Sequence, residues 1–272
     1  MGADEDPKKP PERRTQQTHD LRGASRLRVE WPVDTIALEL STDGMLHVDA
    51  YLRSSVGPCK LAYMSVDAQP HVQLPERAGG TAMLSTNLTQ FGAGQIAAAS
   101  LLCRVPTGVS VEVITDAARV RAVNFSCDIE VESVIGDVEL EDCAGRAEIT
   151  TANGHVTIRR PREAVTIKSE NGRVLIDCDR KLDGNIDIHT INGMATLNVA
   201  SDGFKARFRV ETESGDIEAA PNPGLKLLEK RSLGSYSAQL NGGGGPMIHA
   251  QSVNGSIQLF VSKEAKAVGY KR

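Results

Sequence analysis

Residues Ser169 to Ile176 read SENGRVLI: a small hydroxyl residue, two further residues, a glycine and then an aliphatic strand. The same phrase returns along the second half of the chain as SVIGDVEL from Ser133, TANGHVTI from Thr151, TINGMATL from Thr190, TESGDIEA from Thr212, SVNGSIQL from Ser252 and, in a degenerate form, SLGSYSAQL from Ser232. Its glycines follow one another at 18 to 22 residues and are Gly136, Gly154, Gly172, Gly193, Gly215, Gly234 and Gly255. A fixed period near 20 residues is typical of repeat proteins, in which each repeat stacks on the next.

Each copy of the phrase carries alternating aliphatic residues on both sides of its glycine. In one copy, Val165 and Ile167 precede Gly172, and Val174 and Ile176 follow it. This period of two predicts two short strands in every coil, each with one apolar face. We therefore expect an all-β fold: a single-stranded β-solenoid (β-helix) of about eight coils, whose aliphatic side chains form one buried column.

The residues around the glycines are those of tight turns. An asparagine precedes the glycine in four copies, as Asn153, Asn171, Asn192 and Asn254. Asn-Gly is the dipeptide that best tolerates positive φ, which predicts a structural turn in preference to a ligand site. The Ser or Thr three residues before each glycine is expected to bond to turn backbone or to form a hydroxyl ladder between coils.

The composition changes along the chain and predicts four regions. Residues 1–24 are polar and charged, which predicts a disordered tail. Residues 26–108 alternate like strands and are expected to form an N-terminal β cap with a hairpin-like turn at 41–44. Within it, residues 76–100 are expected to form an irregular connection or one strand pair, and a helix at 95–102 is the alternative. Residues 109–262 hold the solenoid repeats. Residues 263–272 form a charged C-terminal tail, in which Lys263, Glu264 and Lys266 are expected to guard the last strand edge.

Charge and composition exclude several classes of function. The net charge of −4 argues against a general nucleic-acid binder, and no apolar run is long enough for membrane insertion. The five cysteines are odd in number and form no CxxC pair, so we expect reduced, half-buried thiols. The first residues lack an apolar signal core, which predicts a cytoplasmic, intracellular protein.

The repeated phrase resembles that of the bacterial putative-adhesin family, a repetitive β-solenoid group regarded as a domain of unknown function. The resemblance covers residues 26–262. Within that family the chain is similar to a eukaryotic branch that opens like RLRVEWPV, from Arg26, and closes like NGSIQLFVSK, from Asn254. The resemblance implies no catalytic residues, and for the eukaryotic branch it implies a mitochondrial location as the alternative to the cytoplasm.

The sequence contains no pattern of residues typical of a catalytic, cofactor-binding or metal-binding site. The histidines are scattered, and outward ones such as His155 and His189 are typical of solvated surface. An outward row of acids offers the best candidates for a polysaccharide-active enzyme, and its members are Glu130, Glu148 and Asp187. Tyr236 and Tyr270 are the expected exposed aromatic residues for stacking on sugars.

We therefore expect a non-enzymatic β-solenoid scaffold, an adhesin-like binding protein that presents a strand face to an unknown protein partner and needs no cofactor. One alternative is a carbohydrate-binding or polysaccharide-active β-helix. Another is a structural protein that assembles with copies of itself through its coil ends, since open strand edges favour such pairing.

Overall fold

The computed structural model describes residues 12–54, 70–86, 96–179, 182–231 and 234–262. These residues form strands and connections without any helix, so the all-β prediction is confirmed. Among them there is accordingly no helix with the length and apolar character to cross a bilayer. The chain divides into two compact units, residues 1–120 and residues 121–272.

The first unit contains strands from two sheets. Its strands are β1 (Glu12–His19), β2 (Arg26–Glu30), β3 (Val33–Leu40), β4 (Leu46–Ser54), β5 (His71–Gln73), β6 (Thr81–Ser85), β7 (Ile96–Val105) and β8 (Ser110–Thr115), while β9 (Ala117–Val123) spans the division. In one sheet the order is β1-β4-β7-β3, with β4 antiparallel to both of its neighbours and β3 parallel to β7. In the other, β2 lies parallel to both β6 and β8, and β5 is antiparallel to β6.

Strand β1 overturns part of the predicted tail. The expectation of disorder over residues 1–24 is wrong for residues 12–19, which pair with residues 46–53 of β4. The Arg14 guanidinium forms an ion pair with Asp49, and this hydrogen bond lowers the pKa of the Asp49 carboxyl. A strand as polar as this one is stable at a sheet edge because its backbone pairs on one side while its side chains stay in water.

Two local predictions in the first unit are also wrong. β3 and β4 do not form a hairpin, since β7 lies between them. Residues 96–105 form this strand and no helix, because Ala99, Leu101 and Cys103 are fully buried and alternate with the more exposed Ser100, Leu102 and Arg104. Period two favours a strand with one buried face.

The second unit is built from the repeated phrase. Its strands are β10 (Ile129–Ser133), β11 (Val138–Glu141), β12 (Ala147–Thr151), β13 (Val156–Arg159), β14 (Val165–Ser169), β15 (Val174–Cys178), β16 (Ile186–Thr190), β17 (Ala195–Ala200), β18 (Ala206–Thr212), β19 (Ile217–Ala219), β20 (Leu225–Arg231), β21 (Ser235–Leu240), β22 (Met247–Ser252) and β23 (Ile257–Ser262). Each coil contributes one strand to each of two sheets, both mostly parallel.

The predicted aliphatic column is confirmed. Val138 pairs with Val156, and Val156 with Val174, in parallel register. All three side chains are fully buried. In the facing sheet Ile149, Ile167 and Ile188 are equally buried and in register. Stacking of the coils at about 4.8 Å thus pairs the backbones of neighbouring strands by hydrogen bonds and removes the aliphatic side chains from water.

The coils do not stack in the order of the sequence. β16 pairs with β22, the strand of the last copy, and β22 in turn pairs with β18. In the other sheet β23 lies likewise between β17 and β19. The last coil, β22–β23, is therefore inserted between the coils β16–β17 and β18–β19. We call it the inserted coil.

The degenerate copy of the phrase is not a coil. β21 runs antiparallel to both β18 and β20. Arg231 and Ser235 are paired across a connection of three residues that ends at Gly234, where φ is +79°. So short a connection permits only an antiparallel hairpin, because a parallel crossover needs a dozen residues or more.

The cysteines are buried more deeply than expected. Cys103, Cys127, Cys143 and Cys178 carry free thiols, and all four are buried. Burial raises the pKa of the Cys103 and Cys178 thiols to about 12, so these side chains act as small apolar core residues. Cys59 lies outside the described residues.

Candidate functional site

A buried column of hydroxyls runs beneath the turns of the second unit. Its members pair in register from coil to coil and are Ser133, Thr151, Ser169, Thr190, Ser252 and Thr212. In three coils the hydroxyl accepts a hydrogen bond from the glycine amide three residues later, at 2.8–3.0 Å for Gly136, Gly215 and Gly255. Of the two expected roles, the bond to turn backbone is therefore the one seen in these coils.

Five of the phrase glycines are required by contact and not by backbone conformation. Gly154, Gly172, Gly193, Gly215 and Gly255 do not have positive φ. The expectation from the Asn-Gly dipeptide is therefore wrong for the four of them that follow an asparagine, which are Gly154, Gly172, Gly193 and Gly255. A Cβ added to any of these five would overlap the carbonyl oxygen of the glycine in the adjacent coil. Only a residue without a side chain permits this close approach of two backbones.

The four turn asparagines form a continuous ladder on the surface. Asn171 Nδ2 donates to Asn153 Oδ1 at 3.1 Å, and Asn192 Nδ2 donates to Asn171 Oδ1 at 2.8 Å. Asn254 Nδ2 then donates to Asn192 Oδ1 at 2.9 Å, which places the inserted coil next in the same ladder. The asparagine side chains therefore hold one another in register along the stacked turns.

A groove lies where these turns meet the outer face of the sheet that contains β10, β12, β14, β16 and β22. We call it the turn groove. It has a volume of about 520 Å³ and is lined by Ser133, Thr150, Thr151, Ala152, Lys168, Ser169, Glu170, His189, Thr190, Ile191, Gln251 and Val253. Ile191 and Val253, in adjacent turns, give it an apolar wall, and Ala152 adds apolar surface on the other side of Glu170. Ile191 is 44% exposed to solvent.

Further aliphatic surface lies in the first turn of this row. Val134 is 48% exposed and Ile135 is 61% exposed. The Val134 carbonyl accepts a hydrogen bond from the Asn153 amide, so the two turns are direct neighbours. Exposed branched aliphatic residues in tight turns are expensive to hydrate, and their grouping beside a groove is typical of a binding surface.

The outward acids occupy the positions that the repeat predicts. Glu130 and Glu148 are cross-strand partners, and Thr166 separates Glu148 from Asp187. The Glu148 carboxylate lies 3.8 Å from the Lys168 ammonium, with both side chains more than half exposed. Such weak, solvated ion pairing is typical of the outer face of a sheet.

The structure brings together two histidines that the sequence treats as separate. His189 lies on β16 and His249 on β22, and their rings meet edge to face with centroids 5.6 Å apart. Asp187 lies between them, with Oδ1 2.9 Å from His249 Nδ1 and 3.1 Å from His189 Nε2. The expectation of isolated surface histidines is wrong for this pair. The only signal in the sequence is their outward position in two copies of the phrase, and it becomes informative once the inserted coil is known.

The exposed aromatic residues expected for sugar stacking are not supported. Tyr236 lies on β21 and is buried, and this burial raises the pKa of its phenol. Phe208 is buried as predicted. Tyr270 lies outside the described residues, as do Lys263, Glu264 and Lys266.

Comparisons with solved structures find similar chains that share little sequence. They include a "putative adhesin" of Bacteroides fragilis NCTC 9343, at 11% identity over 93% of this chain and 99% of that one, with a TM-score of 0.45. A "putative cell adhesion protein" of Clostridium sporogenes ATCC 15579 has 10% identity over 92% and 100% of the two chains and a TM-score of 0.43. A "putative adhesin" of Parabacteroides merdae ATCC 43184 has 10% identity over 90% and 95%, with a TM-score of 0.32.

No curated protein matches the sequence. The model of the Toastrack DUF4097 family does match, over residues 108–260, which is more than half of the chain and contains the repeated phrase from its first copy to its last. The chain therefore belongs to the Toastrack DUF4097 family.

Proposed function

We propose that the protein is a non-enzymatic binding scaffold and that its turn groove receives an extended segment of a protein partner. The observation that carries the proposal is the groove itself, which places exposed Ile191 beside Val253, with Ala152 on the far side of Glu170, on an otherwise polar surface. Apolar grooves with a few polar groups at their edges are typical of binding sites.

The dimensions of the turn groove favour a short peptide segment. The groove crosses the ends of five parallel strands, from β10 to β22 in stacking order. Four spacings of about 4.8 Å give it a length of about 19 Å. An extended chain covers this length with about six residues.

The chemistry of the groove favours a segment with aliphatic side chains. Its apolar wall would take two or three such side chains, while Lys168 and His189 offer polar contacts at the edge and Glu170 offers one between Ala152 and Ile191. The walls are held by parallel hydrogen bonding and by the asparagine ladder. A preorganised surface of this kind loses little conformational entropy when it binds.

Selection from a phage-displayed library of random peptides tests the proposal. We expect the intact protein to enrich peptides that contain two or more aliphatic residues. Ile191→Glu places a charge in the apolar wall and should weaken these peptides by at least about tenfold, since it removes about 1.4 kcal/mol or more of binding free energy. Thr157→Glu, on β13 in the opposite sheet, is the matched control and should bind the peptides as the wild type does.

The proposal is wrong if no peptide is enriched, or if Ile191→Glu binds the selected peptides as tightly as the control. A glycan array run on the same three proteins separates this function from the carbohydrate alternative. Binding of a glycan that Ile191→Glu leaves unchanged, with no peptide enriched, would favour that alternative. Circular dichroism and melting temperature establish that both variants are folded before binding is compared.

A further inference from the structure

From the cluster of Asp187, His189 and His249 we infer a second site, which shares His189 with the turn groove: a binding site for a divalent transition-metal ion of the Zn²⁺ class. One ligand atom from each of the three side chains can be chosen so that all lie within 4.8 Å of one another. Two imidazoles and a carboxylate are the ligands that such ions prefer, and three protein ligands leave one coordination position open.

The backbone fixes where the three side chains emerge. Asp187 and His189 are two residues apart on β16, so they leave the same face of the sheet. His249 on β22 is the direct cross-strand partner of Asp187. Because neighbouring parallel strands are about 4.8 Å apart, this arrangement delivers three potential ligands to one small area without any loop.

The distances suit coordination. Asp187 Oδ1 is 2.9 Å from His249 Nδ1 and 3.1 Å from His189 Nε2. Ligand bonds of about 2.1 Å in a tetrahedral site place the ligand atoms about 3.4 Å from one another, so modest side-chain rotations would admit the ion. The ion would replace the protons that the two imidazoles share with the carboxylate.

A supporting carboxylate lies behind His249. His249 Nε2 is buried without a hydrogen-bond partner, and Glu211 Oε2 is 3.9 Å away. Metal-bound histidines usually donate their other ring N–H to a carboxylate, which fixes the ring orientation. Glu211, held at 2.9 Å by Arg209, is positioned for this role if Nδ1 binds the ion.

The Lys and Arg side chains near the cluster form ion pairs with acids outside it. Lys168 is the cross-strand partner of His189, but its ammonium lies beside Glu148. Arg209 is the partner of His249, and its guanidinium binds Glu211. The cluster is only partly exposed, with 26% of the His249 side chain and 45% of the Asp187 side chain accessible, so an ion can enter from solvent.

The ion would join two strands that lie far apart in the sequence. Asp187 and His249 are 62 residues apart, and the contact between them exists because of the inserted coil. A bound ion would therefore hold β22 to β16 and stabilise the inserted coil. Any ligand that binds the folded state alone increases its stability in this way.

Isothermal titration calorimetry with ZnCl₂ tests the inference on the full chain, prepared without a histidine tag and treated with chelator. We expect one Zn²⁺ per chain at the site. His249→Gln should weaken binding by at least about tenfold, since loss of even a supporting group costs that much. The matched control His71→Gln changes an exposed histidine of β5 and should leave the affinity unchanged.

If His249→Gln fails to fold, Asp187→Asn provides the test of metal binding at the cluster. This substitution keeps the shape of a partly exposed side chain and removes only its charge. It should lower the affinity by a similar factor. Nitrogen NMR of the imidazoles provides a second readout, and the His189 and His249 resonances should shift with Zn²⁺ while that of His71 should not. The inference is overturned if the wild type shows no saturable binding, or if the cluster variants keep the wild-type stoichiometry and affinity.

Discussion

At the scale of single residues, the glycines of the second unit show how one residue type serves two different physical requirements. Gly172 is needed because the Gly154 carbonyl oxygen of the neighbouring coil occupies the space of a side chain. Gly203, in contrast, has φ of +73° and no atom within 4 Å of the position of a Cβ. The first glycine is fixed by packing and the second by backbone conformation.

Asparagine separates these two requirements, because it tolerates positive φ but adds a side chain. We expect Gly172→Asn to lower the free energy of unfolding by about 3 kcal/mol, the upper range for overpacking. Gly203→Asn should change it by less than about 1 kcal/mol. Urea denaturation of both variants measures the difference, and equal losses would mean that contact with the next coil is not what selects Gly172.

The strands and their buried faces could be predicted from the sequence because each follows from local alternation. Ile167 and Val174 are buried where period two places them. Strand β1 could not be predicted, since a polar edge strand has no apolar face to signal it. The proposed metal site could not be predicted either. His189 and His249 come together because β16 pairs with β22. Local sequence patterns do not determine which strands pair with each other.

At the scale of strands, each coil depends on its neighbours. Ile167 on β14 is fully buried between Ile149 of β12 and Ile188 of β16. No coil has an apolar core of its own, because its two strands bury their inner faces only when other coils cover them. Stability in such stacks is the sum of coil and interface contributions.

We therefore expect Ile167→Ala to destabilise β12, β14 and β16 together, at a cost of about 2–5 kcal/mol for the cavity and the lost burial. Hydrogen exchange should show faster exchange of the amides in all three strands. Thr166→Ala, the outward neighbour on β14, is the control and should cost no more than about 0.5 kcal/mol. Faster exchange in β14 alone would contradict the dependence between coils.

At the scale of the whole repeat unit, the order of the stack determines which surfaces exist. The inserted coil brings Val253 to Ile191 in the turn groove and His249 to Asp187 in the proposed metal site. If the coils followed the sequence, β18 would lie next to β16, and both surfaces would have different residues. The proposed peptide site and the proposed metal site therefore both depend on the position of the inserted coil.

Disulfide trapping in the exposed turns tests the position of the inserted coil most directly. Asn192 and Asn254 are neighbours in the asparagine ladder, joined at 2.9 Å, and Ser214 lies one coil further on. Cysteines in adjacent coils, about 4.8 Å apart, are within disulfide reach, whereas cysteines two coils apart are not. The native cysteines of the described residues are buried and should not compete. Each double variant is oxidised mildly, digested and examined by mass spectrometry. If the inserted coil lies beside β16, Asn192→Cys with Asn254→Cys forms an intramolecular disulfide, and Asn192→Cys with Ser214→Cys does not. A disulfide between the cysteines at 192 and 214, with none between those at 192 and 254, would show that the coils stack in the order of the sequence. That result would contradict the inserted position of β22–β23.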